Sequence, residues 1–136
     1  MRWITSNAEE TEAAGAELVA VLSAGTPAVL CGELGTGKTT MVRGACRALG
    51  VEGPVTSPTF TIGQLYEGTV EVAHLDLYRL QGLDDDHRIL LDDYLTPDRY
   101  AFVEWPGESP PDLGRTALGV RLEHLGDGRR AIAVLG

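Results

Sequence analysis

Apolar and polar positions change period several times along the chain, and each change marks an element. Residues 2–4 make a short apolar patch of edge-strand length. From Ser6 the spacing becomes helical: Ala14, Leu18, Val21 and Leu22 fall on one stripe, Ser6 and Glu9 stand at capping-box separation, and Gly25 is placed to end the helix. Thr11 and Gly15 lie off that stripe, where core packing does not explain them. Residues 27–31 are an unbroken apolar run, the mark of a central strand buried on both faces. A second helical pattern covers 39–49 and closes at Gly50.

Runs 60–66 and 69–77 flank Glu67-Gly68 and predict a hairpin. In the second run Val70, Val72, His74 and Asp76 share one face, and Ala73, Leu75 and Leu77 share the other. Residues 81–93 predict a short surface helix, with Asp84-Asp85-Asp86 as its acidic first turn and Leu83, Ile89, Leu90 and Leu91 as its apolar contacts. A further strand over 100–105 ends in an acid and a proline-rich loop follows over 106–114. Strands over 116–122 and 130–135 then flank the turn Gly126-Asp127-Gly128.

The length of 136 residues and a 43% hydrophobic fraction predict one globular domain spanning 1–136. A net charge of −9 argues against direct binding of nucleic acid, which needs clustered cations, so any such role runs through a partner. Cys31 and Cys46 have neither C-x-x-C spacing nor a histidine cluster, and read as buried thiols. The N-terminus turns acidic too early for a signal peptide, and nothing approaches the roughly 18 apolar residues of a membrane span. These features predict a soluble, reduced, cytoplasmic protein with no membrane partner.

Chemistry enters between the first buried strand and the second helix. Gly32-Glu33-Leu34-Gly35-Thr36-Gly37-Lys38-Thr39 spells G-x-x-x-x-G-K-T, a phosphate-binding loop in its expected setting. Polyphosphates are held by backbone N–H groups turned inward at the positive end of a helix. Here Gly35, Thr36, Gly37 and Thr40 contribute to the cradle, Lys38 reaches the β and γ phosphates, and the Thr39 hydroxyl ligates the bridging Mg²⁺. Lys38 is the only lysine in the chain; the other ten cationic side chains are arginine. A planar guanidinium cannot replace a compact ammonium in so tight a site. The alternative, a glycine-rich turn without a ligand, leaves that lone lysine without a reason.

Two strand-end acids, Asp76 and Glu104, compete as the carboxylate that holds the metal or orients water, and the residue pattern permits either assignment. His74, alone on its strand, reads as a hydrogen-bonded core imidazole rather than a catalyst. Pro54 and Pro58 bracket an extended, hydroxyl-rich loop, which is near the nucleotide if the topology is that of other P-loop proteins and a plain connector otherwise.

Four motifs in order, Gly32 to Thr40, then Ser57-Pro58-Thr59-Phe60, then His74-Leu75-Asp76-Leu77-Tyr78-Arg79-Leu80, then Glu104-Trp105, resemble the TsaE/YjeE family of small P-loop ATPases of bacterial tRNA threonylcarbamoyladenosine (t6A) synthesis. The resemblance spans almost the whole chain. It implies an α/β, P-loop NTPase-like three-layer fold with a mixed, partly antiparallel central sheet, and ATP hydrolysis with Mg²⁺. It also implies work with two partners, a threonylcarbamoyl transferase (TsaD) and its companion (TsaB), on adenosine 37 of tRNAs reading codons that begin with A. By the same resemblance Thr39 and Glu104 match the metal ligands and Asp76 the acid near the γ-phosphate, while Thr11 and Arg130 match positions beside the base. Ser57, Pro58, Thr59 and Phe60 match a switch, and Trp105 a reporter of nucleotide or partner. The chain departs from the family at Asp85-Asp86 and Leu90-Leu91, on the expected partner-facing surface.

A GTPase needs Asn-Lys-x-Asp, which a chain with Asn7 as its sole asparagine and Lys38 as its sole lysine cannot supply. A small-molecule kinase using the same loop is the alternative enzyme, but the arginines are scattered rather than gathered on a lid. A third reading is a module that uses ATP only to change shape and dock.

Overall fold

A computed structural model of the chain describes residues 1–56, 62–77 and 85–135. The described strands are β1 (Arg2–Thr5), β2 (Ala28–Cys31), β3 (Gly63–Glu67), β4 (Glu71–Asp76), β5 (Tyr100–Trp105), β6 (Leu118–Gly126) and β7 (Arg129–Leu135). The helices are α1 (Ala8–Leu18), α2 (Lys38–Ala48) and α3 (Asp85–Asp92). The strands form one sheet in the order β1-β7-β6-β2-β5-β4-β3. The central four, β6, β2, β5 and β4, run parallel, and antiparallel pairings flank them at both edges, so the sheet is mixed as expected.

Every residue of β2 is buried, as its unbroken apolar run predicts for a strand covered on both faces. One face packs Leu30, Val72, Phe102 and Val120 against Ala14 and Leu18 of α1 and Met41, Val42, Ala45 and Cys46 of α2. The other packs Val29, Ala73, Leu75, Leu77 and Val103 against Leu91 and Leu95. The division of β4 between the two faces is the predicted one, and the result is three layers. Burying each leucine in these clusters stabilises the fold by about 1.5–3 kcal/mol. Burial pushes the Cys46 thiol up to about 12, and both cysteines are free and buried.

Several boundaries differ from the expected ones. The cap of α1 is Asn7 rather than Ser6: Asn7 Oδ1 accepts from the Glu10 N–H at 2.8 Å, and Glu10 Oε1 accepts from the Ser6 N–H at 2.8 Å. The α-helix stops at Leu18, not at Gly25; Val19–Val21 tighten into a 3₁₀ turn and Leu22 is already extended. Ile89 and Leu90 of α3 face solvent, and only Leu91 of that helix is buried.

Gly15, unexplained by the apolar stripe, lies where α1 meets α2. A β carbon there would sit 2.1 Å from Met41 O, and one on Gly44 would sit 1.9 Å from Glu12 O. Each helix thus lays a bare backbone against the other, a separation that no side chain permits. This contact draws the start of α1, with Thr11, against the loop before α2.

Candidate functional site

Parallel strands end at the same edge of a sheet, and this topology gathers the site. Leu30, Glu104 and Asp76 are register partners across β2, β5 and β4, so their side chains leave the same face, the one covered by α1 and α2. The chain leaves β2 with Gly32 N–H donating to Trp105 O at 3.1 Å, then turns through residues 33–37 into α2. Gly37 is the N-cap of α2, with φ 99°, and as a glycine it supplies no side-chain cap. The left-handed backbone calls for glycine, and a β carbon would also press on Arg130 Cδ and Thr11 Cγ2 at 3.3 and 3.4 Å. The positive end of the α2 dipole therefore opens toward the loop.

Lys38, the first helical residue, folds back over the loop. Its ammonium donates to Gly32 O and, at 3.0 Å, to Glu33 O. Burial lowers its pKa from the ordinary lysine value, opposed by the carboxylates of Glu104 and Asp76 and by Cys31. Thr36 is buried and ties the loop to itself, its hydroxyl donating to Glu33 O at 2.7 Å. Arg130 of β7 reaches Gly35 O at 3.5 Å, and its buried Nε–H has no partner among the described residues.

Glu104 is 3% exposed and held on two sides. The Thr39 hydroxyl donates to its two oxygens at 2.8 and 2.9 Å, and His74 Nε2 lies 2.5 Å from Oε2. His74 is fully buried, a hydrogen-bonded imidazole as its position on the strand predicted. Asp76 stands beside Glu104 at the end of the neighbouring strand.

These groups surround a cavity of about 330 Å³, lined by Gly35, Gly37, Lys38, Thr39, Thr40, Asp76, Glu104 and Arg130, with Leu34 and Pro106 at its rim. Eight of the expected site residues thus meet in one place. Thr11 and Thr36 do not line it: Thr11 backs Gly37 with its methyl and shares a 2.8 Å hydrogen bond with Thr5 Oγ1. Trp105 is half-buried against the α3-side core. Ser57, Pro58, Thr59 and Phe60, and the Tyr78-Arg79-Leu80 part of the third motif, lie outside the described residues. Leu34, an apolar residue in a polar loop and so a signal visible in the sequence, lines the cavity and is 81% exposed. Tyr66, whose hydroxyl meets His74 Nδ1 at 3.0 Å, could be found only once the hairpin register was known.

The donor set fits a metal-bound triphosphate. A compact cation, a helix start capped only by glycine and a buried guanidinium N–H with no partner among the described residues suit phosphate oxygens. A hydroxyl paired with a carboxylate suits a hard divalent cation.

The family model described as "Threonylcarbamoyl adenosine biosynthesis protein TsaE" matches residues 5–132. A relative from Treponema pallidum, named tRNA threonylcarbamoyladenosine biosynthesis protein TsaE, is 33% identical over 134 residues, which cover 98% of this chain and 99% of that protein. Its namesake from Bacillus subtilis is 35% identical over 97% of this chain and 83% of its own length. The namesake from Synechocystis is 41% identical over 87% of this chain and 68% of its own. The crystal structure of Bacillus subtilus YdiB superposes with a TM-score of 0.74 at 30% identity, covering 98% of this chain and 83% of that one.

Proposed function

Because the chain belongs to the TsaE family of tRNA threonylcarbamoyladenosine biosynthesis proteins, we propose that it is the Mg²⁺-dependent ATPase subunit of that pathway, acting with a transferase and its companion. The observation that carries this reading is the convergence of Lys38, Thr39, Asp76 and Glu104 on one cavity at the start of α2.

In this reading Lys38 exchanges the neutral carbonyls of Gly32 and Glu33 for the charged oxygens of the β and γ phosphates, a trade that strengthens both hydrogen bonds. The first-turn residues of α2 and Arg130 both line the cavity that would take the phosphates. Thr39 and Glu104 would hold Mg²⁺, which would supply positive charge against the charge that develops on the phosphate. Asp76, one strand over, orients the attacking water. The tRNA is reached only through the partners, in keeping with the net charge of −9.

Reconstitution tests the proposal. With purified transferase, companion, tRNA, threonylcarbamoyl donor and ATP, modification of adenosine 37 is expected to require this chain over repeated turnovers. ATP hydrolysis by the chain alone is expected to be weak and to rise when the partners are added. Modification that proceeds equally well without the chain overturns the subunit role and leaves the small-molecule kinase to be tested with acceptor substrates.

A further inference from the structure

Glu104 is reached by a continuous line of polar groups that begins outside the cavity. Thr56 O accepts from Gln64 Nε2 at 2.9 Å and from the Tyr66 hydroxyl at 3.2 Å, both on β3. The Tyr66 hydroxyl also meets His74 Nδ1 at 3.0 Å, and His74 Nε2 meets Glu104 Oε2 at 2.5 Å. Glu104 in turn accepts from Thr39. Tyr66 pairs in register with Val72, so it lies diagonally across the hairpin from His74, close enough for a long side chain to reach it.

We infer that Tyr66 and His74 are positioning residues that aim the Glu104 carboxylate at the divalent ion, with Thr56 O competing with His74 Nδ1 for the Tyr66 hydrogen. This rests on Glu104 as the metal-facing acid. An ionised carboxylate only accepts, so Nε2 carries the ring hydrogen that faces Glu104, and in the neutral ring Nδ1 is then an acceptor. Burial pushes the Tyr66 hydroxyl up to about 12, which keeps it a donor at neutral pH. Its single hydrogen has two acceptors in reach, His74 Nδ1 and Thr56 O. The grip on the imidazole therefore depends on where Thr56 stands, the residue just before the Ser57-Pro58-Thr59-Phe60 motif. Outer partners of a metal ligand fix its orientation, and removing one typically weakens metal binding about 10- to 100-fold.

Mn²⁺ bound with ATP to the full chain, counted by electron paramagnetic resonance, gives a readout that needs no turnover. Metal-free ATP affinity is measured beside it. His74→Leu is expected to weaken Mn²⁺ binding about 10-fold or more. His74→Gln, whose amide keeps a donor toward Glu104, restores most of that loss. Tyr66→Phe weakens Mn²⁺ binding several-fold, and adds nothing in the His74→Gln background, where the Nδ1 acceptor is gone. Metal-free ATP affinity stays at the parent value throughout. Should His74→Leu fail to fold, Tyr66→Phe and His74→Gln still read the relay. Parent-like Mn²⁺ affinity in Tyr66→Phe, or an equal loss of metal-free and metal-bound affinity, overturns it in favour of plain core packing. A parent chain that binds no ATP at all shows itself before any variant is made, and removes the proposed function and the relay together.

Discussion

Lys38→Ala is expected to abolish ATP turnover and to lower nucleotide affinity by at least about 100-fold, since each charge-assisted hydrogen bond contributes about 1.5–3 kcal/mol and two are lost. Lys38→Arg is expected to fail nearly as badly. The ammonium sits between Gly32 O and Glu33 O with 6% of the residue exposed, and a guanidinium plane does not fit that gap. The fold is expected to survive either change. Burial already disfavours the charged form of Lys38, so its presence serves binding rather than stability. Equilibrium binding of a fluorescent ATP analogue, with a denaturant curve for each variant, checks both halves. Normal turnover in Lys38→Ala means that the site assignment is wrong.

The second large effect separates the two acids. Glu104→Gln keeps the shape of the side chain and an acceptor for Thr39 but removes the charge, and is expected to cut Mg²⁺-dependent turnover by about 100- to 1,000-fold, the rate equivalent of roughly 3–4 kcal/mol. Part of that loss should return at high Mg²⁺, because the defect lies in metal affinity. Asp76→Asn is expected to slow turnover with the Mg²⁺ requirement nearly unchanged, as befits a group that acts on water. Mg²⁺ titrations of both variants, in the presence of the partners, distinguish them. If Asp76→Asn shifts the Mg²⁺ midpoint and Glu104→Gln does not, the two roles are reversed.

Much of this site was legible because its signals are local. The loop from Gly32 to Thr39, the apolar run before it and the helix after it lie within a few turns of chain, and the two faces of β4 follow from period-two alternation alone. What escaped depends on distant parts of the chain. Gly15 has a purpose only beside Met41 O, and Gly44 only beside Glu12 O. Helix α1 ends at Leu18 because β-branched Val19 and Val21 are weak helix formers, while Gly25 serves a different turn, donating to Arg99 O at 2.9 Å. Ile89 and Leu90, expected with Leu91 as apolar contacts of a surface helix, face solvent; hydropathy alone does not say which side of a short helix is covered. The partnership of Tyr66, His74 and Glu104 requires both the hairpin register and the parallel pairing of β4 with β5. Asp76 and Glu104 could not be placed side by side until that pairing was known, though each was already visible as a strand-end acid.

A crystal of the chain grown with Mg²⁺ and a non-hydrolysable ATP analogue tests the reading at its root. The expected result is a triphosphate lying along residues 35–40, with Lys38 Nζ moved from the loop carbonyls to phosphate oxygens and the metal on Thr39 and Glu104. A nucleotide bound elsewhere, or a metal that ignores both residues, would contradict it.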